Sequence, residues 1–288
     1  MLKLNRKSKV ALLSILSNTA LIILKVIAGI LSGSVSIVSE AIHSSMDLAA
    51  SIIAFFSVRI ASKPADKNHP YGHGKMENIS GVVEGILIFI AAILIIKEAI
   101  SKISHPGEIN EAYIGIFVMV ISAVVNYFVS RKLYKVSIEE DSIALEADAL
   151  HLKTDIYTSL GVAAGLFLIK TTGMLIFDPI VAMVVASLII KEAWLLTKDA
   201  FDPLLDKKLS DEEEEIIGKI VKSYNSRVID YYELRTRKSG NIKYIDFQIA
   251  VDKNMSVIEA HNLSDSIEKD IEKKVKNSNV HIHIEPGE

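Results

Sequence analysis

Six apolar stretches crowd the first 200 residues, each long enough to cross a lipid bilayer. A hydrocarbon core takes roughly 20 apolar residues per helix. The chain supplies them at about 9–31, 35–60, 79–103, 112–132, 142–170 and 175–198. In lipid every backbone polar group must be bonded within the protein, so runs like these are expected as helices. Half of the 288 residues are hydrophobic and mean hydropathy is +0.34, which fits a polytopic membrane protein. Gly33-Ser34 and Thr171 to Gly173 read as turns, with Asp178-Pro179 near the start of the last helix. Ser62 to Met76, Ser104 to Glu111 (holding Pro106-Gly107) and Lys135 to Asp141 read as polar or charged connections.

Basic residues set the expected orientation. Lys3, Arg6, Lys7 and Lys9 precede the first span. Arg59, Lys63, Lys67 and Lys75 flank the second-to-third loop, and Arg131, Lys132 and Lys135 follow the fourth span. The opposite loops hold almost none, so a multi-pass protein of the cell membrane with both termini cytoplasmic is expected. The first apolar run lacks a small-residue cleavage site, so no signal peptide is expected. The chain has no Cys, which excludes disulfides and thiolate metal sites. A net charge of −3 argues against nucleic acid as a partner.

Residues 207–288 differ in kind, being rich in Lys, Asp and Glu. Ser210 with four acids in the first turn after it announces a helix over Asp211 to Tyr224, negative charge facing the positive end of the helix dipole. Tyr231 to Lys238 and Lys243 to Val251 alternate around Ser239-Gly240-Asn241 and predict a hairpin. Ser256 to Val275 carries Val257, Ala260, Leu263, Ile267 and Ile271 at helical spacing, and Val280 to Ile284 alternates again. The expected fold is an α-helical membrane protein: six transmembrane helices in 1–203, then a small cytoplasmic α+β domain over 207–288, an αββαβ open sheet with both helices on one face.

Two residue pairs inside the apolar runs carry the chemistry. His43 with Asp47, and His151 with Asp155, are each spaced i, i+4, which places both side chains on one helix face. Two such clamps on facing helices would offer two imidazole nitrogens and two carboxylates, the ligand number and kind of a tetrahedral zinc site. Ionisable groups are costly at membrane depth and point to function there. The competing structural reading is a set of interhelical hydrogen bonds. Interhelical bonding is also the expectation for Asn18, Glu84 and Asn126. Glu40 and Asp148, three residues before the clamps, suit either a path or second layer around the metal, or helix packing.

This arrangement resembles the cation diffusion facilitator family of divalent-metal transporters, and in particular bacterial zinc exporters. The resemblance covers nearly the whole chain. It rests on the two clamps in the second and fifth spans, on Pro64-Ala65-Asp66-Lys67-Asn68-His69-Pro70-Tyr71-Gly72-His73-Gly74-Lys75-Met76-Glu77, and on Leu234-Arg235-Thr236-Arg237-Lys238-Ser239-Gly240. It implies a transporter, not an enzyme, exporting a divalent cation in exchange for protons as a homodimer with alternating access.

Two His with two Asp lean to Zn2+ as substrate, and the resemblance associates a second-span His with zinc. Mn2+, Fe2+, Co2+ and Cd2+ are the alternatives. The resemblance carries a further metal site onto Asp66, His69 and His73, whose spacing lets a curled loop gather three ligands; otherwise they are a solvated loop capping the third helix. In the tail, His261, His283 and Glu285 match the family's metal pattern, with His281 as a possible assistant. Tyr232 and Gln248 stand where the pattern has His, so any regulatory zinc there would occupy a reduced site; without metal the domain would serve dimerisation. The resemblance also implies a charged pair at the membrane boundary, Lys75 with Asp206. Rival functions are a membrane metal sensor working through its tail, and a metallohydrolase, which would need an open metal position and a base that the four clamp residues do not leave.

Overall fold

The computed structural model describes residues 5–32, 35–104, 113–174 and 176–287. Gly33-Ser34, Pro106-Gly107 and most of the connection around them lie outside the described residues. Six long helices come first: α1 (Arg6–Ser32), α2 (Val35–Ala61), α3 (Lys75–Ser104), α4 (Tyr113–Glu140), α5 (Ile143–Thr172) and α6 (Phe177–Phe201). With 25 to 30 residues each, they run roughly 38–45 Å, enough to cross a bilayer core. Among the described residues three segments are also apolar enough over their length to cross a membrane: Arg6–Ile27, Lys75–Ser101 and Pro179–Leu205. The first half of α5 is more polar because Glu146, Asp148, Lys153 and Asp155 lie there.

The chain divides into two compact units, Met1–Pro64 with Met76–Phe201, and Ala65–Lys75 with Asp202–Glu288. In the first, α5 is the central helix. One of its faces places Ala144, Leu145, Ala149 and Leu152 against Val10 and Ala11 of α1, Val58 of α2, and Val129, Leu133 and Val136 of α4. Its other face places Ala147 against Ile88 and Ala92 of α3 and Ile189, Ala193 and Leu196 of α6. Between them runs a stripe of Asp148, His151 and Asp155, spaced three and four apart as one helix face requires. Phe89, Ile90, Phe128, Leu188 and Trp194 point outward and exposed, the apolar surface a bilayer-facing helix presents.

One expected loop is helical. Lys135 to Asp141 continues α4 to Glu140, and the chain breaks only at Asp141, at φ 51°. Val136 is buried against the bundle, Lys135 pairs with Glu139 one turn on at 3.9 Å, and Arg6 of α1 pairs with Glu139 and Glu140. Packing and ion pairs together extend the helix through a charged sequence.

In the second unit a short 3₁₀ turn (Asp202–Leu205) leads to α7 (Asp211–Lys222), β1 (Val228–Ser239), β2 (Ile242–Asp252), α8 (Val257–Lys274) and β3 (Ser278–Gly287). This is the expected αββαβ order. The sheet runs β1-β2-β3, antiparallel then parallel. Both helices open with reciprocal capping boxes, Ser210 with Glu213 and Ser256 with Glu259. Ile217, Val221, Leu263, Ile267 and Ile271 of the helices close on Ile245, Phe247, Ile249 and Ile282 of the sheet, so α7 and α8 share one face and the other is left open.

Residues 65–75 pack onto this unit. The Arg237 guanidinium lies 4.6 Å from the Tyr71 ring and 4.7 Å from the Tyr244 ring, a cation–π sandwich. The Tyr244 hydroxyl donates to the Tyr71 carbonyl at 3.1 Å. Lys75 donates to Asp206 at 2.8 Å, with Arg237 3.7 Å from the same oxygen. The Lys75 hydrogen bond, foremost, holds the Asp206 carboxyl below its usual range. Gly74 meets the β1–β2 turn so closely that a Cβ on it would lie 2.5 Å from the Ser239 carbonyl oxygen and 2.9 Å from the Gly240 nitrogen. Backbone cannot yield as a flexible side chain does. Gly74→Ala is therefore expected to cost about 1–3 kcal/mol, as overpacking does, and to expose amides 65–75 to hydrogen exchange. Protection unchanged from wild type would show that this approach is not structural.

Candidate metal site

The clamp residues come from α2 and α5. Asp47, His151 and Asp155 each offer a ligand atom, and those atoms lie within 4.8 Å of one another. His151 Nε2 is 3.0 Å from Asp47 Oδ1, and both residues are buried. His43 stands on α2 four residues before Asp47; its side chain lies outside those described, as does that of Glu40. Asn126 of α4 donates to Asp155 Oδ2 at 3.4 Å, so this interhelical bond falls on one of the clamp carboxylates. The arrangement is a nitrogen-and-oxygen pocket between two helices, in which a cation would replace the His151–Asp47 hydrogen bond.

Around it lies a layer of small polar groups. Asn18 donates to Ser51 at 2.8 Å across α1 and α2. Asp148 accepts from Ser14 at 3.1 Å and from Ser51 at 2.9 Å. Lys25 donates to Ser44 at 2.6 Å. Glu84 does not follow the expected interhelical pattern. It accepts from Ser80, one turn back on its own helix, at 3.1 Å.

The loop residues also converge: ligand atoms of Asp66, His69 and His73 lie within 4.8 Å of one another. The Asp66 carboxylate accepts the backbone N–H groups of Asn68 at 2.9 Å and His69 at 2.8 Å. The His69 N–H, foremost, draws the Asp66 carboxyl below its usual range. His69 Nδ1 is 3.3 Å and His73 Nε2 3.4 Å from this carboxylate, so the loop is curled with its donors facing one point.

The tail residues are brought together only in part. His283 Nε2 lies 2.9 Å from Glu285. His261, on α8, lies 3.7 Å from Asp265 instead, and among the described residues these do not form a three-ligand cluster. Tyr232, Gln248 and His283 form one row across the three strands, and Gln248 donates to Glu233 at 3.1 Å.

A multi-pass helical bundle with ionisable groups at its centre is the build of a membrane ion carrier. A model of the cation efflux transmembrane domain matches residues 11–205, and a model of the cation efflux protein cytoplasmic domain matches residues 209–287. The transporter sll1263 of Synechocystis sp. is 33% identical over 278 residues, 96% of this chain and 90% of its own. The cation-efflux pump FieF of Shewanella oneidensis is 30% identical over 273 residues, 95% of this chain and 92% of its own. A solved structure of CzrB is 28% identical with a TM-score of 0.27, covering 28% of this chain and 99% of its own. The chain belongs to the cation efflux family, the cation diffusion facilitators, and is a membrane transporter of divalent metal cations, not an enzyme.

Proposed function

We propose that this transporter exports Zn2+ from the cytoplasm in exchange for protons, through a site made by His43, Asp47, His151 and Asp155. The observation that carries the reading is the convergence of Asp47, His151 and Asp155 from two helices, with Asp47 and His151 buried and Asp155 half-buried. Imidazole mixed with carboxylate favours zinc over the harder ions that oxygen-only sites take. Coupling follows from the ligands. A metal-bound His must be deprotonated, so protons and metal compete for one nitrogen. Opened to an acidic exterior the site loads protons and releases metal; opened to the cytoplasm it does the reverse.

In this reading residues 1–203 form the transport domain and 207–288 a cytoplasmic domain, both termini are cytoplasmic, and the bilayer is the cell membrane. The domain pairs as a homodimer, for which the open sheet face bearing Tyr232, Gln248 and His283 is the support. Asp66, His69 and His73 hold a regulatory metal. His261, His283 and Glu285 provide at most a weaker one.

Flux of Zn, Mn, Fe(II), Co and Cd into proteoliposomes under an imposed pH gradient tests the proposal. Zinc flux that requires the gradient is the expected result, and His43→Asp is expected to broaden selectivity toward Mn. Gradient-independent flux would remove the coupling, and a preference for another metal would move the substrate.

A further inference from the structure

Asp148, one turn before His151 on α5, and Glu84 of α3, within electrostatic reach of both, are buried carboxylates that the transport site does not use. Asp148 of α5 and Glu84 of α3 are both 0% exposed. Each has one oxygen held: Asp148 Oδ1 by Ser14 and Ser51, Glu84 Oε1 by Ser80. The second oxygen of each, Asp148 Oδ2 and Glu84 Oε2, is enclosed and has no hydrogen-bond partner among the described residues. Glu84 lies within electrostatic reach of Asp148 and of His151. An unpartnered buried polar atom costs about 1–3 kcal/mol, and more where the group is charged. Two of them, on carboxylates of α3 and α5 within electrostatic reach of each other, call for a cation.

We propose that Glu84 and Asp148, with the hydroxyls of Ser14 and Ser51, form a second, inner site for a divalent cation beside the transport site. This rests on the cation-export reading. Asp148 precedes His151 by three residues on α5, and Ser51 follows Asp47 by four on α2. Both offsets, about 5 Å of helix, point to the end of the bundle where Lys7 of α1 donates to Glu77 of α3 at 2.8 Å and Ser142 before α5 donates to the same carboxylate. Glu77 and Glu84 are seven apart on α3 and share a face. The inner site therefore stands between that end and the imidazole. Its donors are all oxygen, so it holds a borderline-soft ion less tightly than the nitrogen-bearing site. A transit site needs that grade, since an ion must enter readily and leave readily.

The chain has no Cys, so a thiol introduced by Glu84→Cys is the only one in the full-length protein. Cd2+ bound there produces a thiolate-to-cadmium charge-transfer band that no other site in the chain can give. The expected result is a saturable band in purified Glu84→Cys. It should be lost, or need at least about tenfold more cadmium, in Glu84→Cys/Asp148→Asn, and persist in Glu84→Cys/Asp47→Ala. Three results would overturn the proposal: no band in a protein that elutes as native, a band indifferent to Asp148→Asn, or a band lost with Asp47. A band that behaves as expected in a protein without flux would refute the export reading and leave the inner site standing.

Discussion

Asp155→Ala is expected to lower metal flux about 100-fold or more while leaving the protein folded. Even residues that only orient a metal ligand typically change affinity or activity by 10–100-fold, and here the ligand itself is removed. Asp155 is half-buried and lies on the α5 stripe between the two apolar cores, so shortening it removes a donor without opening either core. Its partner supplies a graded control. Asn126 holds one Asp155 oxygen from α4 at 3.4 Å, so Asn126→Ala should cost about tenfold, the lower end of that range. Flux in proteoliposomes, compared at equal reconstituted protein, gives both numbers. Wild-type flux from Asp155→Ala would take this carboxylate off the ion's path. Equal losses in the two variants would assign Asn126 a direct part in binding.

The shared face of the α5 pair was legible because helical spacing is local. His151 with Asp155 needs only the rule that residues four apart share a face, and α5 obeys it. The tail was legible for the same reason: Ser210 and Ser256 announce their helices within three residues, and Lys243 to Val251 alternates with the pleat. What could not be read locally was which distant segments meet. Nothing near Tyr71 or Gly74 says that Arg237, Tyr244 and Gly240 will pack on them, about 170 residues on. The same holds for Glu84. Its position inside an apolar run marked it as unusual, but its nearness to Asp148 comes from helix packing. The charged end of α4 misled for the opposite reason. Lys135 and Glu139 look like loop residues until they pair with each other one turn apart and Arg6 of another helix joins Glu139.

A second large effect is expected where no metal chemistry is involved. Lys7 and Glu77 are almost wholly buried, and their charges meet at 2.8 Å. Glu77 is also the third residue of α3, where negative charge suits the helix dipole, and it accepts from Ser142. Lys7→Met removes the cation paired with it and leaves a buried carboxylate facing no ammonium. Breaking a buried pair from one side costs about 3–5 kcal/mol, whereas replacing both members with apolar groups is often neutral or stabilising. Lys7→Met should therefore lower the thermal unfolding midpoint by many degrees, and Glu77→Leu alone should also destabilise by stranding the ammonium. The double variant Lys7→Met/Glu77→Leu should regain most of the loss. The coupling energy of that cycle is the decisive quantity, because it cancels whatever each substitution does elsewhere. Additive single effects would show that the two charges do not depend on each other, and that the bundle tolerates Glu77 through Ser142 and the helix dipole alone.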